Sequence, residues 1–211
     1  MKKIFLLLFC IFSFSFAFSY TILGGKAPSF TAQTTEGKIH FPSYYKGKWI
    51  ILFSFPNVFT PLCTQEIIKF IKLSPTLKDL NCEVIGISTN TNSIHLAWLA
   101  TIRQDLQKEE GKAVKIDFPL IDDSKKSIAK RYGMLHPKVN KNKTVRSVFF
   151  IDPTGKIRAI FLYPITNGRN FQELTRLLTA MQAADKEKGV TPPDWEKGSP
   201  TIPCPACHNS K

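Results

Sequence analysis

The stretch Trp49-Ile50-Ile51-Leu52-Phe53-Ser54-Phe55-Pro56-Asn57-Val58-Phe59-Thr60-Pro61-Leu62-Cys63 decides the fold. Its first seven residues are apolar except for Ser54 and stop at a proline, the pattern of a strand buried on both faces. Thr60 suits a helix N-cap and Pro61 the first helical position. A helix is therefore predicted from Pro61 to about Leu73, with Ile67, Ile68, Ile71 and Leu73 on its inner side. A doubly buried strand that feeds a helix is the repeating unit of a layered α/β sheet.

The alternation continues downstream. Val84-Ile85-Gly86-Ile87-Ser88 reads as a second buried strand, and Ser93 to about Glu110 as a helix with Ile94, Leu96, Ala97, Trp98 and Ile102 spaced for one face. Ser124–Tyr132 is a short helix and Val145–Ile151 a strand. Asp152-Pro153-Thr154-Gly155 is a turn, after which Lys156–Tyr163 returns antiparallel and Asn170–Ala184 forms a last amphipathic helix. Upstream, residues 27–42 are polar with single apolar positions, between turn signals at Gly24-Gly25 and Glu36-Gly37. This order predicts an α/β, thioredoxin-like fold: a central mixed β-sheet flanked by helices, followed by an extended C-terminal tail. From Gly189 onward Pro192, Pro193, Pro200, Pro203 and Pro205 argue against regular structure. The tail is expected to lie over the body or over a neighbouring subunit, with Trp195 as its anchor.

The N-terminus carries Lys2 and Lys3, an apolar run, and Ala17-Phe18-Ser19, with small residues where a cut before Tyr20 needs them. This is the layout of a secretory signal peptide. The division expected is residues 1–19 as signal, 20–184 as the thioredoxin-like domain and 185–211 as an extension carrying a Cys-Pro-Ala-Cys motif. Localisation would then be periplasmic or extracellular, with no stable membrane insertion once the signal is removed. A retained membrane anchor is the alternative. The formal charge of +13 falls to +11 without Lys2 and Lys3. Its lysines are spread along the chain, with clusters only at 125–131 and 138–143 and no accompanying nucleic-acid recognition motif, so a solvated basic surface rather than nucleic-acid binding is expected.

Cys63 falls inside the first turn of its helix, near unpaired backbone N–H groups and the positive end of the helix dipole, which favours an anionic sulfur. The dipole contributes only about 0.3–1 kcal/mol, so strong activation needs a cation as well. Arg146 interrupts the apolar strand Val145–Ile151, where an arginine is costly unless paired, and it is the candidate. The bland alternative is that Cys63 is a small buried hydrophobe. Thr60, likewise, is either only a cap or a hydroxyl set beside the sulfur to bind a substrate oxygen.

Pro56, Thr60 and Cys63 match the P-x-x-x-T-x-x-C motif of peroxiredoxins, and Phe59-Thr60-Pro61-Leu62-Cys63-Thr64-Gln65-Glu66 resembles their active-site helix start. The similarity extends through His95-Leu96-Ala97-Trp98, Tyr132–Leu135, Arg146–Pro153, Tyr163–Phe171 and Thr191–Trp195, so the chain resembles the one-cysteine subfamily and its archaeal relatives over nearly all of residues 22–198. The resemblance implies a thiol-dependent peroxidase acting on hydrogen peroxide and organic hydroperoxides. Cys63 would attack the O–O bond and become a sulfenic acid, Pro56 would shield the pocket, Thr60 would bind the peroxide and Arg146 would hold the charge. Arg169 matches a second arginine near the pocket. Two departures stand out. Phe55 replaces a histidine that many members carry before the motif proline, and Lys46-Gly47-Lys48-Trp49-Ile50 lacks the serine linked to phospholipase activity in mammalian relatives.

Cys204-Pro205-Ala206-Cys207-His208 admits three readings. In the first, Cys204 and Cys207 resolve the Cys63 sulfenic acid and pass the disulfide to an external thioredoxin-like or other dithiol reductant. The archaeal relatives carry two tail cysteines at a wider spacing. Cys-x-x-Cys-His is also the attachment pattern of c-type haem, though it lies four residues from the end with no helix to pack a macrocycle. A structural disulfide or half of a metal site is the third. The expectation is the resolving pair, with no metal and no haem, in a homodimer or larger homo-oligomer. The rival reading of the whole chain is an exported thiol–disulfide exchange or electron-transfer protein centred on Cys204 and Cys207. Cys82 is expected to be structural, and His95, His136 and His208 to be scattered surface or helix-face residues.

Overall fold

In the computed structural model, residues 23–204 are described. The signal-peptide reading and Cys207 and His208 fall outside them. Strands β1 (Phe30–Thr34), β2 (Gly37–Phe41), β3 (Trp49–Ser54), β4 (Cys82–Ser88), β5 (Leu120–Asp122), β6 (Arg146–Ile151) and β7 (Ile157–Tyr163) form one sheet in the order β2-β1-β5-β4-β3-β6-β7. β3 runs parallel to β4, and β4 to β5. β6 and β7 return antiparallel, as do β1 and β2. The mixed, helix-flanked, thioredoxin-like sheet is therefore present.

β3 is buried at all six positions because both its faces are covered. Ile51 and Phe53 join Phe150, Val84 and Leu120 against helices α1 (Pro61–Asp79), α2 (Asn92–Glu110) and α4 (Phe171–Glu187). Ile50 and Leu52 face the other way, with Ile85, Ile87 and Phe149, towards helix α3 (Ser127–Arg131) and the β1–β2 hairpin. Successive strand residues alternate between two helix- or hairpin-covered cores.

Several elements depart from the sequence reading. The segment 27–42 forms a hairpin whose inner positions Phe30, Ala32, Ile39 and Phe41 are buried, an alternation diluted in sequence by the polar outer face. α1 runs past Leu73 to Asp79 with Pro75 inside it. Proline removes one backbone donor, but Leu77 is wholly buried one half-turn further on and Ser74 Oγ donates to Asp117 Oδ1 at 2.7 Å, so packing carries the helix through. α4 ends at Glu187 rather than Ala184, and the tail is not devoid of regular structure. Strand β8 (Gly189–Val190) pairs with β9 (Ile202–Pro203). Trp195 does anchor the tail: it is buried, its carbonyl accepts from Arg176 Nη1 at 2.9 Å, and its indole N–H donates to Ser199 O.

Candidate active site

Cys63 lies in the first turn of α1, the helix that follows β3, and is 1% exposed. The turn begins at Thr60, which is extended at φ −104° and ψ 144°. Thr64 N donates to Thr60 O at 2.9 Å. The Thr60 hydroxyl makes no capping bond, so the side chain is not spent on the helix end. Phe59 before it holds φ at +53°, a left-handed conformation that a bulky residue adopts at a cost. Pro56 is buried at the end of the strand.

Arg146 opens β6, 83 residues beyond Cys63 in sequence but on the strand adjacent to β3 in the sheet. Its Nη1 lies 3.4 Å from Cys63 Sγ, and its Nε donates to Ile165 O at 3.0 Å, which fixes the plane of the guanidinium. The same Nη1 lies 2.6 Å from Glu66 Oε2. Arg169, from the loop before α4, reaches the same oxygen through Nη1 at 2.6 Å, and its backbone N–H donates to Glu66 Oε1 at 3.0 Å. Arg169 also donates to Ser147 O at 3.1 Å and to Ser54 O. Burial pushes the Arg169 guanidinium below its ordinary range, with Glu66 opposing that shift. Three charged groups thus sit in the interior, two cations around one anion, and their net positive charge faces the sulfur.

Cys63, Arg146 and Arg169 are linked directly or through Glu66, while Thr60 is the N-cap residue of the helix that carries Cys63 and Pro56 follows β3. The sequence reading does not single out Glu66. Its signal is the i+3 spacing from Cys63, which puts a carboxylate on the same inner helix face as Cys63, Ile67 and Phe70. A buried acid among those neighbours requires a partner.

A second layer holds the first turn of α1. Trp98 Nε1 donates to Thr64 Oγ1 at 3.2 Å, and the Trp98 and Phe55 rings lie 5.4 Å apart. His95 is not a surface residue, contrary to the expectation. It is fully buried, its ring 5.8 Å from Phe55, with Nε2 and Ser88 Oγ 2.7 Å apart. Its helix face turns to the sheet because Trp98, Leu99 and Ile102 lead that face inward. Burial holds its imidazole down at about 4. Burial likewise pushes the Cys82 thiol up, which suits a structural cysteine. Cys63 and Cys82 carry free thiols. A hollow of about 890 Å³ lies elsewhere, between α1, α4 and the tail beside Leu73, Leu80, Phe171 and Glu196, and includes none of the five site residues.

Residues 23–160 match the AhpC/TSA family and residues 180–206 the C-terminal domain of 1-Cys peroxiredoxin. The chain belongs to the peroxiredoxins. It is 45% identical over 181 residues to a peroxiredoxin of Methanosarcina mazei, which covers 86% of this chain and 83% of the relative. It is 42% identical over 195 residues to a mitochondrial peroxiredoxin of Saccharomyces cerevisiae, covering 90% and 73%. Among solved structures, the peroxiredoxin 6 of Arenicola marina matches with TM-score 0.79 and 32% identity over 88% of this chain and 84% of that one. A yeast mitochondrial 1-Cys peroxiredoxin matches with TM-score 0.76 and 40% identity over 86% of each. As a peroxiredoxin the chain is a thiol peroxidase, an oxidoreductase.

Proposed function

We propose that Cys63 is the attacking thiolate of this peroxidase, on the observation that Arg146 Nη1 stands 3.4 Å from its sulfur inside a closed site. The thiolate attacks the terminal oxygen of R–O–OH. The O–O bond breaks, an S–O bond forms to give the Cys63 sulfenic acid, and the alkoxide leaves and takes a proton from water. The sulfur is oxidised and the peroxide reduced by two electrons. Arg146 stabilises the sulfur anion and then the developing oxyanion. The unspent Thr60 hydroxyl binds the peroxide, and Pro56 keeps water from the sulfur. Arg169 works through Glu66, which fixes Arg146.

Return to the thiolate needs two electrons from outside. The solved yeast relative is described as resolving its thiol through the glutathione and thioredoxin systems. For this chain we assign the corresponding part to Cys204 and Cys207. One of them attacks the sulfenic sulfur, forming a mixed disulfide with Cys63 and releasing water. The other then displaces the Cys63 thiolate to form a Cys204–Cys207 disulfide, and a dithiol reductant reduces that disulfide by exchange. α4 spans roughly 25 Å, with Arg169 before its first residue and the β8–β9 ladder after its last. Cys204 follows β9 directly. A tail sulfur therefore meets Cys63 of a second copy, or its own after leaving α4. A homodimer fits the outer edge of β7, the last strand of the sheet, where Leu162 is 54% exposed and no further named strand pairs with it among the described residues. The N-terminal layout supports export.

The test is peroxide consumption with a dithiol reductant by wild type, Cys63→Ser and Cys204→Ser/Cys207→Ser, with mass analysis of the oxidised products. Activity should vanish in Cys63→Ser, and a single tail variant should trap a Cys63-to-tail disulfide, between chains or within one. Full activity in Cys63→Ser would overturn the reading and favour thiol exchange at the Cys-Pro-Ala-Cys tail. Absorbance in the Soret region would instead promote haem at Cys204, Cys207 and His208.

A further inference from the structure

We propose that the site selects hydroperoxides bearing an anionic group, drawn in by a basic rim built from two separate stretches of sequence; this rests on the peroxidase reading above. Residues 124–143 contain seven lysines and arginines and no carboxylate. The fold joins their two clusters, because Lys126 Nζ donates to Asn142 Oδ1 at 2.9 Å. The turn that presents Lys138, Lys141 and Lys143 is shaped locally. Val139 and Asn140 donate to His136 O, and Asn140 Oδ1 accepts from the backbone of Asn142 and Lys143. Lys138 and Lys141 are exposed, Lys143 is half-buried, and none of the three forms an ion pair among the described residues.

The rim abuts the site. Immediately after Lys143, Thr144 Oγ1 donates to Phe55 O at 2.8 Å, at the residue preceding Pro56. Ser54 Oγ then donates to Val145 O at 2.6 Å, and the next residue is Arg146. Three residues of extended chain place Lys143 about 10 Å from Arg146 along the backbone. Carboxylates that might offset this charge are few, Asp122 and Asp123 being the two at the rim's edge. Segments 54–65, 91–99 and 163–170, which contribute residues to the site or its immediate support, and the rim with its following strand, 124–151, contain no Asp or Glu. The two acids preceding the rim face backbone N–H groups: Asp122 accepts from Asn92 and Ser124, Asp123 from Ile128 and Ala129. Glu66 is buried between two arginines. Charge of one sign around a low-dielectric mouth raises the encounter rate of an oppositely charged substrate by roughly 10–10³. Exposed Phe59, beside Trp98, offers apolar surface for the rest of such a molecule.

The experiment compares kcat/KM for a short-chain hydroperoxy carboxylic acid and for its methyl ester, at ionic strengths of about 10 mM and about 150 mM, where the screening length falls from roughly 30 to 8 Å. Wild type and Lys138→Gln/Lys141→Gln/Lys143→Gln are used, with hydrogen peroxide turnover by wild type measured alongside. The acid should exceed the ester about tenfold at low salt, and the ratio should collapse towards one at high salt and in the triple variant. An acid-to-ester ratio near one at low salt, or one indifferent to salt, overturns the proposal even if hydrogen peroxide is turned over normally. If the triple variant does not fold, the salt dependence of the wild type decides. Loss of hydrogen peroxide turnover in the wild type would defeat the peroxidase reading itself.

Discussion

Glu66→Gln tests whether the interior of this site is held by charge. The Glu66 side chain is 4% exposed, and the arginines it faces, Arg146 and Arg169, are 3% and 0% exposed. It accepts three hydrogen bonds: 2.6 Å from each guanidinium and 3.0 Å from the Arg169 backbone N–H. Glutamine keeps the volume but removes the negative charge. Its amide nitrogen, a donor, must also face groups that are themselves donors. Breaking one side of a buried ion pair costs about 3–5 kcal/mol, since the remaining charge is stranded. Here two cations are stranded, and Arg169 Nε already lacks a partner among the described residues. In a chain of this size each kcal/mol shifts Tm by roughly 2–4 °C, which gives a fall of about 6–20 °C. Thermal unfolding under reducing conditions measures it. A second arm uses Glu66→Gln/Arg169→Met: removing a stranded cation should recover about 1–3 kcal/mol relative to the sum of the single losses. A Tm fall under about 3 °C in Glu66→Gln, or strict additivity in the double variant, would refute the account of a charge-held site.

Three further outcomes follow from single contacts. Thr60→Val should lower kcat/KM for hydrogen peroxide by about 10²-fold, the order seen when one donor to a developing oxyanion is lost, while Thr60→Ser keeps most activity. Both should unfold within about 0.5 kcal/mol of wild type, as expected where no capping bond is lost; a drop in stability with activity intact would make Thr60 merely structural. Trp98→Phe removes the donor to Thr64 beside the sulfur. One hydrogen bond of about 1 kcal/mol corresponds to a roughly fivefold rise in local opening, so alkylation of Cys63 should accelerate by at least that factor, and an unchanged rate would count against the contact. His95 is buried with its imidazole held at about 4, below its ordinary value of 6.5. The unfolded chain therefore binds more protons between those values. The stability this group contributes is complete above pH 6.5 and is lost as pH falls towards 4, by up to about 3 kcal/mol. Denaturant unfolding at pH 7 and pH 4.5 should show a smaller acid loss in His95→Gln than in wild type; equal losses would contradict the burial argument.

Much of the site could be read before any coordinates, because its parts break local rules. Arg146 stands in an apolar strand, and Thr60-Pro61 announces a helix start directly before a cysteine. The misses have the opposite character. Glu66 looks like any acid on a helix until the inner face is known, and its need for two arginines belongs to the tertiary structure. The burial of His95 is hidden in the sequence because a single histidine among Ile94, Leu96 and Ala97 does not reveal which helix face is covered. Only the packing of Trp98 and Ile102 against the sheet settles that. The β1–β2 hairpin was obscured because each inward residue alternates with a polar one, and β5 because three residues carry no period.

The same contrast explains how the site is assembled. Cys63 and Glu66 arrive with one helix, but Arg146 comes from β6, more than 80 residues later, and Arg169 from the loop leading into α4. No local segment can hold the buried carboxylate with both of its cations. The charged triad forms only when β3 and β6 pair and α4 docks, so the geometry around the sulfur is a product of the completed sheet. A substitution that weakens α4 docking, such as Leu174→Ala or Leu178→Ala in the shared core, should therefore loosen Arg169 and Glu66 before it disturbs the β3–α1 junction itself. Peroxidase rate would then fall at temperatures where far-ultraviolet circular dichroism still reports a folded chain. If instead activity and ellipticity were lost together along one transition, the site and the sheet would be a single cooperative unit, and α4 docking could not be treated as a separate step in building it.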